Sequence, residues 1–297
     1  MKVRIGFGLG TQGLRNDDDL ATVVDGLEHL GFDSLWLSER VTGAAPDPIV
    51  ALAFAAGRTR KLKFGTSVLV LPGRNPVLLA KELATLDVLS GGRLLPAFGL
   101  GTPDPAEHQA FGVDRGDRAS WFEEALPLIR RLWSEDGVDH DGDRFTYKAL
   151  TVRPKPRQSP VDVWLGGLSP SELRRTGRLG DGWLPSFCTP EEAASGRTVV
   201  EQAAAQAGRA IDPEHYGALI PYVHGALPDR LTAALAARRP GVDPTSLIPV
   251  GLDGLTEAVE RFVAHGVSKF VVVPVVEPDD WDDELGALAD RLLGLQT

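Results

Sequence analysis

The sequence is poor in cysteine, in basic charge and in long hydrophobic runs. Cys188 is the only cysteine among 297 residues, so an intrachain disulfide is impossible. Acidic residues outnumber basic ones by 41 to 31, and no basic cluster offsets the formal charge of −10. We therefore expect neither nucleic acid nor an anionic membrane as the main partner. No apolar run approaches the ~18 residues of a membrane span, and residues 1–6 read as a strand rather than a signal peptide, which favours a soluble cytoplasmic protein.

Several common catalytic motifs are missing as well. The six histidines are scattered, none forms an H-x-H pair after the first strand, and a cysteine cluster is impossible. We therefore expect no catalytic metal. The sequence also contains no G-x-S-x-G motif and no P-loop.

Strand-like and helix-like patterns alternate along the chain. The β-rich run at residues 3–7, for example, precedes apolar residues at helical spacing between positions 20 and 30. The other predicted strands are 34–37, 62–71, 94–98, 161–165, 182–184, 216–223 and 269–275. About eight strands separated by helices indicate a parallel sheet with right-handed crossovers. This length favours a closed TIM-type (β/α)8 barrel, an α/β fold with insertion segments, as a single domain over residues 1–297.

The middle of the chain is less regular. Residues 99–116 read as a long loop, which is typical of a functional or mobile segment. A helix is predicted over residues 121–133, although Pro127 should kink it or delay its start. The turn Asp141-Gly142 between two short β-runs indicates a hairpin insertion.

In a barrel of this kind the active site lies at the carboxyl ends of the strands. One such segment, residues 8–13, is a literal G-x-G-x-x-G, which suggests a dinucleotide site. However, the next helix pattern begins only near Asp17, and Glu39 is too distant for the usual acidic partner. We therefore favour a plain glycine-rich loop.

A second segment combines two glycines with a capped helix. Gly166 and Gly167 precede Ser169, which with Pro170 and Glu172 forms a capping-box pattern. Free backbone N–H groups at such a turn can bind a phosphate. An ordinary capped helix explains the pattern equally well, so both interpretations stay open.

Three further rim segments also allow two interpretations. The strand end at residues 65–72, with Ser67 and Val68, reads as core or as the mouth of the barrel. The turn with Gly99, Gly101 and Thr102 is either an ordinary tight turn or a rim where the glycines let a planar ligand approach closely. Glu39 and Arg40 are either a surface ion pair or an acid and a cation that face substrate.

Taken together, these residues resemble the luciferase-like monooxygenase family. The strand-two signature is Gly-Phe-Asp-Ser-Leu-Trp-Leu-Ser-Glu at residues 31–39, and residues 64–101 give the strongest match. Further matches are Leu132-Trp133, residues 152–156, 164–167 and 180–183. The resemblance spans most of the chain and is weakest at residues 185–241. It implies a barrel that uses flavin mononucleotide (FMN) or the deazaflavin coenzyme F420, and a homodimer.

The resemblance also implies which residues contact the cofactor. A non-prolyl cis peptide, matched here by Ser67–Val68, presses on the central ring in the deazaflavin members. The other matching positions are Gly99, Gly101 and Thr102 at the strand-four rim, Gly166, Gly167, Leu168 and Ser169 at the phosphate turn, and Gly182 and Trp183 at the following rim.

One departure affects the catalytic residues. Some deazaflavin members, such as the sugar-phosphate dehydrogenases, carry a catalytic histidine where this chain has Arg40. Its replacement removes the proton shuttle and argues against that reaction. Asp104 falls where those enzymes place a glutamate. The candidate catalytic residues are therefore Glu39 or Asp104 for a proton, and Arg40 for an anionic or carbonyl group.

Four functions are then in view. The favoured one is hydride transfer between F420 and a small organic substrate, with the cofactor at the barrel mouth. The second is an FMN-dependent monooxygenase that uses O₂ and a separate flavin reductase. The others are a non-catalytic flavin-binding protein and the dinucleotide enzyme suggested by residues 8–13.

Overall fold

The structure is a computed structural model that describes residues 1–11, 13–16 and 18–297. Gln12 of the glycine-rich loop and Asp17, where the helix pattern was expected to begin, lie outside the described residues. The strands are β1 (Arg4–Gly8), β2 (Ser34–Leu37), β3 (Lys63–Thr66), β4 (Leu69–Val70), β5 (Leu94–Leu95), β6 (Ala97–Gly99), β7 (Val138–Asp141), β8 (Thr146–Leu150), β9 (Trp164–Leu165), β10 (Gly182–Trp183), β11 (Gly217–Tyr222) and β12 (Lys269–Pro274).

Helices follow most of these strands. They are α1 (Asp19–Leu30), α2 (Pro48–Arg58), α3 (Pro76–Ser90), α4 (Pro105–Phe111), α5 (Arg118–Ser134), α6 (Pro170–Leu179), α7 (Pro190–Gln206), α8 (Asp229–Arg238), α9 (Pro244–Leu247), α10 (Gly251–Ala264) and α11 (Trp281–Leu292), with a short 3₁₀ turn at Leu293–Leu295. Within the described residues, no helix has the length and apolar character needed to cross a membrane.

The barrel strands are all parallel. One sheet has the order β11-β12-β1-β2-β3-β5, and a second has the order β10-β9-β6-β4. Segments β3 and β4 follow one another along one barrel strand, as β5 and β6 do along the next. The bridges Trp183–Tyr216 and Ser186–Leu219 join β10 to β11 and complete the ring. The predicted (β/α)8 barrel is confirmed, with the antiparallel hairpin β7–β8 as an insertion.

Local sequence signals set the helix ends. The side chain of Asn75 accepts hydrogen bonds from the N–H groups of Val77 and Leu78 at the start of α3, and Gly91 ends that helix in the left-handed conformation with φ of 77°. Thr189 and Glu192 form a complete capping box at the start of α7.

Two tryptophans fill the barrel below its mouth. The rings of Trp36 and Trp164 meet edge to face at 6.3 Å, and both are fully buried. Each ring lies against a glycine of a neighbouring strand, because a Cβ on Gly65 would come within 2.1 Å of Trp36 and one on Gly182 within 2.4 Å of Trp164. The floor of the mouth is therefore a packed apolar layer.

A buried ion network closes the opposite end of the barrel. Asp33 precedes β2 and bonds Lys269 at 2.6 Å and Lys63 at 3.0 Å. Burial alone would raise the pKa of Asp33, but the two lysines outweigh it and lower the pKa to about 2. This end of the barrel therefore contributes to stability and lies away from the mouth.

The structure corrects several local predictions. The expected loop at 99–116 contains α4, because Asp104 caps it and Gly112 ends it with φ of 64°. Helix α5 begins at Arg118, not late, and runs through Pro127, since its buried face packs along its whole length. The predicted strands 62–71 and 94–98 are each split in two, 161–165 shrinks to Trp164–Leu165, and α9 had not been predicted.

Candidate functional site at the barrel mouth

A cavity of about 480 Å³ opens at the carboxyl ends of the barrel strands. Residues that follow β1, β2, β3, β6, β9, β10 and β12 line it, together with residues of β4, β6, β9, β11 and β12 and of α4, α5, α6 and α8. Its volume lies in the usual range for a small-molecule or cofactor site.

Val68 forms part of the cavity wall. The Ser67–Val68 peptide is cis, as the family resemblance implied. The carbonyl oxygen of Ser67 accepts a hydrogen bond from the hydroxyl of Ser38 at 2.9 Å. A Cβ on Gly99 would come within 2.5 Å of Cγ2 of Val68, and one on Gly166 within 3.4 Å of its Cγ1. The glycines on both sides therefore leave the valine and the surface above it open.

Glu39 is the buried acid of the site. Its carboxylate accepts a hydrogen bond from the N–H of Val70 at 2.7 Å and pairs with the guanidinium of Arg74. Burial raises the pKa of Glu39, and the positive charge of Arg74 only partly offsets this. Its partner is thus Arg74, not Arg40, and it lines the cavity.

Arg40 and Asp104 form a pair at the rim. Nη2 of Arg40 lies 2.9 Å from Oδ2 of Asp104, and both side chains are about one third exposed or more. Asp104 also caps α4 by accepting from the N–H of Ala106 at 2.9 Å. Neither residue lines the cavity.

Glu107 is a cavity-lining acid that the sequence did not reveal. It lies on α4, is buried, and accepts hydrogen bonds from the N–H of Thr42 at 2.8 Å and of Val41 at 3.3 Å. It therefore fastens α4 to the loop after β2. The available signal was its position three residues after Asp104, which is typical of the first turn of a capped helix.

The turn before α6 forms one end of the cavity. Gly166 and Gly167 line it, with Glu172, Arg175 and Thr176 of the helix. The N–H groups of Leu168 and Ser169 donate to the carboxylate of Glu172 at 3.1 and 2.9 Å, so the capping box already occupies them.

Gly182 and Trp183 support this turn from outside the cavity. Gly182 faces the interior ring of Trp164. Trp183 is buried in a cluster with residues of α6 and α7, and its Nε1 donates to the carbonyl of Gly167 at 2.9 Å.

One arginine, Arg118, fixes the rim segment that follows β6. Nη1 of Arg118 donates to the carbonyl oxygens of Leu100, Gly101 and Thr102 at 3.1, 3.0 and 3.0 Å. This rim, with Gly99, lines the cavity beside Val68. In the described part of the chain, no group of three or more His, Cys, Asp or Glu residues is arranged to hold a metal ion.

The fold and the cavity define a (β/α)8-barrel protein with a cavity at its mouth. A model of the luciferase-like monooxygenase family matches residues 3–251. The chain belongs to this family.

Similar proteins act with two cofactors. An F420-dependent glucose-6-phosphate dehydrogenase of Kineococcus radiotolerans is 35% identical over 167 residues, which cover 53% of this chain and 49% of that protein. The chain thus matches about half the length of this relative. The structure of an F420-dependent secondary alcohol dehydrogenase in complex with an F420–acetone adduct superposes with a TM-score of 0.83 at 21% identity, over all of both chains.

A third similar protein carries FMN. It is the type II Baeyer–Villiger monooxygenase of Pseudomonas putida, the oxygenating constituent of 3,6-diketocamphane monooxygenase, with a TM-score of 0.76 at 18% identity over 99% of both chains. At these identities the two structures show a shared fold.

Proposed function

We propose that this protein is an oxidoreductase that transfers hydride between coenzyme F420 and a small organic substrate at the barrel mouth. The proposal rests on one observation: Val68, its flanking glycines and the turn before α6 line the same cavity. The similarity to F420-dependent dehydrogenases supports the same cofactor.

The residues present fit a planar ring with an anionic substituent. Gly99 and Gly166 leave the face of Val68 open, where a Cβ on Gly99 would overlap the valine. The deazaflavin would supply hydride chemistry there, and the protein would orient it. We assign the ring contacts to Ser67, Val68, Gly99, Gly101 and Thr102.

The anionic substituent has a counterpart at the other end of the cavity. Gly167 and Arg175 line that end, and the amino terminus of α6 favours negative charge. Because the N–H groups of Leu168 and Ser169 already donate to Glu172, we assign them to shaping the turn. Gly182 and Trp183 support it from behind.

We assign the transfer of the proton during the reaction to Glu39. Its buried carboxyl group has a raised pKa and faces the cavity, so it can hold a proton beside the reacting atoms. The guanidinium of Arg74 keeps that carboxyl group in place. Arg40 and Asp104 neutralise each other at the rim, where we assign them to holding α4 against the loop after β2.

The second candidate is an FMN-dependent monooxygenase that uses O₂ and a separate flavin reductase. The similarity to an FMN-containing monooxygenase favours it. A non-catalytic flavin-binding protein would share the cavity but lack turnover.

Titration of the protein with F420 and with FMN tests the proposal. We expect saturable quenching of F420 fluorescence and F420-linked oxidation or reduction of at least one member of an alcohol and ketone panel. Tight binding of FMN with no binding of F420 would support the monooxygenase. Binding of either cofactor without turnover would support the non-catalytic protein.

We also propose that two copies associate through α2 and α3. Val50 and Phe54 of α2, with Leu78 and Leu89 of α3, are exposed apolar side chains on two adjacent helices. Light scattering after gel filtration should give a dimer mass, and Leu78→Lys should shift it toward the monomer.

We further propose that residues 1–297 form one folding unit. The last barrel strand, β12, pairs with β1, and the N–H of Thr297 donates to the carbonyl of Val3 at 3.2 Å. A single cooperative unfolding transition by two different probes is expected.

A further inference from the structure

The described lining residues divide the cavity into a half with charged side chains and a half without them. Its charged lining residues are Glu39, Glu107, Glu172 and Arg175, and all lie on the side formed by β2 to β9 with α4 and α6. The other side runs from β10 through β12 to β1 and includes α8. Among its described lining residues, none is charged.

The uncharged half is an apolar wall. Phe187, Leu219, Leu231 and Val273 are among the residues that form it, one each from the segment after β10, from β11, from α8 and from β12. In the described lining of this half, the polar side chains are the hydroxyls of Thr11 and Ser186. Such a surface binds hydrocarbon and can orient one hydroxyl or carbonyl group.

Arg175 is the one cation among the described lining residues, and it is already paired. Nε of Arg175 lies 3.2 Å from a carboxylate oxygen of Glu123, and its guanidinium stacks over the ring of Phe122 at 5.7 Å. It lies on α6, at the end of the cavity assigned to the cofactor. The described lining thus offers an anionic substrate no cation besides Arg175, which is paired with Glu123 and lies at the end assigned to the cofactor.

We propose that the substrate is an uncharged, largely hydrocarbon molecule with one hydroxyl or carbonyl group, whose carbon skeleton packs on the apolar wall. The inference rests on the proposed function, since it concerns the substrate of the same site. It separates this protein from enzymes that act on sugar phosphates.

Matched ligands test the charge requirement. Cyclohexanone and 4-oxocyclohexanecarboxylate share a ring and a ketone but differ by one carboxylate, and glucose 6-phosphate adds a phosphate. Binding to the cofactor-free protein is measured by ligand-observed NMR, and turnover with F420 is measured separately. We expect cyclohexanone to bind at least about tenfold more tightly than either anion. Equal or tighter binding of an anion would overturn the proposal.

A homologous series tests the hydrocarbon requirement. Along 2-butanone, 2-pentanone and 2-hexanone, affinity should rise about three- to fourfold for each methylene until the wall is covered. A flat series would contradict an apolar contact.

Variants locate the contact. Leu231→Lys should weaken cyclohexanone binding at least about tenfold and improve binding of the keto acid, whereas Ala233→Lys, on the exposed face of the same helix, should change neither. Phe187→Asn is a second, uncharged variant, and it should weaken cyclohexanone binding also. Thermal melting shows that each variant is folded. Unchanged binding in folded Leu231→Lys and Phe187→Asn proteins would refute the wall.

The two levels of the proposal fail differently. If F420 does not bind but the cofactor-free protein prefers cyclohexanone, the proposed cofactor is wrong and the substrate class stands. If F420 supports turnover and the anions are preferred, the substrate class is wrong and the cofactor stands.

Discussion

Gly99→Ala adds one methyl group at the wall that we assign to the cofactor ring. The new Cβ would lie 2.5 Å from Cγ2 of Val68, whereas carbon atoms pack best at about 3.5–4.0 Å. The two groups must therefore separate by about 1 Å, and a shift of Val68 toward the cavity would narrow the space for the ring. Overpacking of this kind costs about 1–3 kcal/mol. A bound ring must push the displaced Val68 back against this cost. The affinity for the cofactor should therefore fall about five- to 150-fold.

The assay is titration of F420 fluorescence, with the melting temperature measured on the same samples. Gly116→Ala is the matched control, because no atom lies within 4 Å of its added Cβ. Its affinity should equal that of the wild type. Wild-type F420 affinity in a folded Gly99→Ala protein would refute the assignment of Val68 and Gly99 to the ring.

Three further predictions concern charge. Asp33→Asn should lower the free energy of unfolding by about 3–5 kcal/mol, because it leaves the buried ammonium of Lys269 unpaired. Since the pKa of Asp33 is lowered from 3.8 to about 2, the wild type should lose about 2 kcal/mol of stability as the pH falls across that interval, and denaturant titrations of the variant should lack this loss. Glu39→Gln should remove a different slope. Because burial raises the pKa of Glu39, the wild type becomes less stable as pH rises above the ordinary value of 4.5, and the variant should lack this loss. The variant should also lose the limb of the pH–rate profile that reports this carboxyl group, so an unchanged profile would exclude the proton role. Arg40→Ala should change stability by less than about 1 kcal/mol and keep most of the turnover, since its pair with Asp104 is exposed, and complete loss of turnover with normal folding would place Arg40 in the reaction.

The order of strands and helices was predictable because residues close together in the sequence determine where each element begins and ends. Capping residues such as Asn75 and Thr189 begin the helices where the sequence places them. Alternation of strands and helices then allows few topologies, so the barrel and its mouth follow.

The side-chain partners were less predictable. Glu39 and Arg40 are adjacent in sequence but pair with Arg74 and Asp104, since successive residues at a strand end point in different directions. The same alternation explains why Gly182 faces the barrel interior while Trp183 packs against the outer helices. A strand end can be recognised from the sequence, but the sequence does not show which of two adjacent residues there faces the barrel interior.

Glu107 shows a different limit. Its helix lies in a segment rich in glycine and proline, whose turn signals resemble those of a loop. Only the capping pattern that begins at Asp104 distinguishes a short helix there. Its buried carboxylate accepts hydrogen bonds from Val41 and Thr42, about 65 residues earlier in the chain, and local sequence patterns do not indicate such distant contacts.

Isotope transfer is the sharpest test of hydride transfer between F420 and the substrate. The protein is incubated without oxygen with F420 and a secondary alcohol deuterated at the carbinol carbon, and the deazaflavin is analysed by mass spectrometry. Deuterium should appear in the reduced deazaflavin in step with ketone formation. If no deuterium is transferred, and the product instead forms only with reduced FMN and takes up ¹⁸O from labelled O₂, the protein is a monooxygenase and does not transfer hydride to F420.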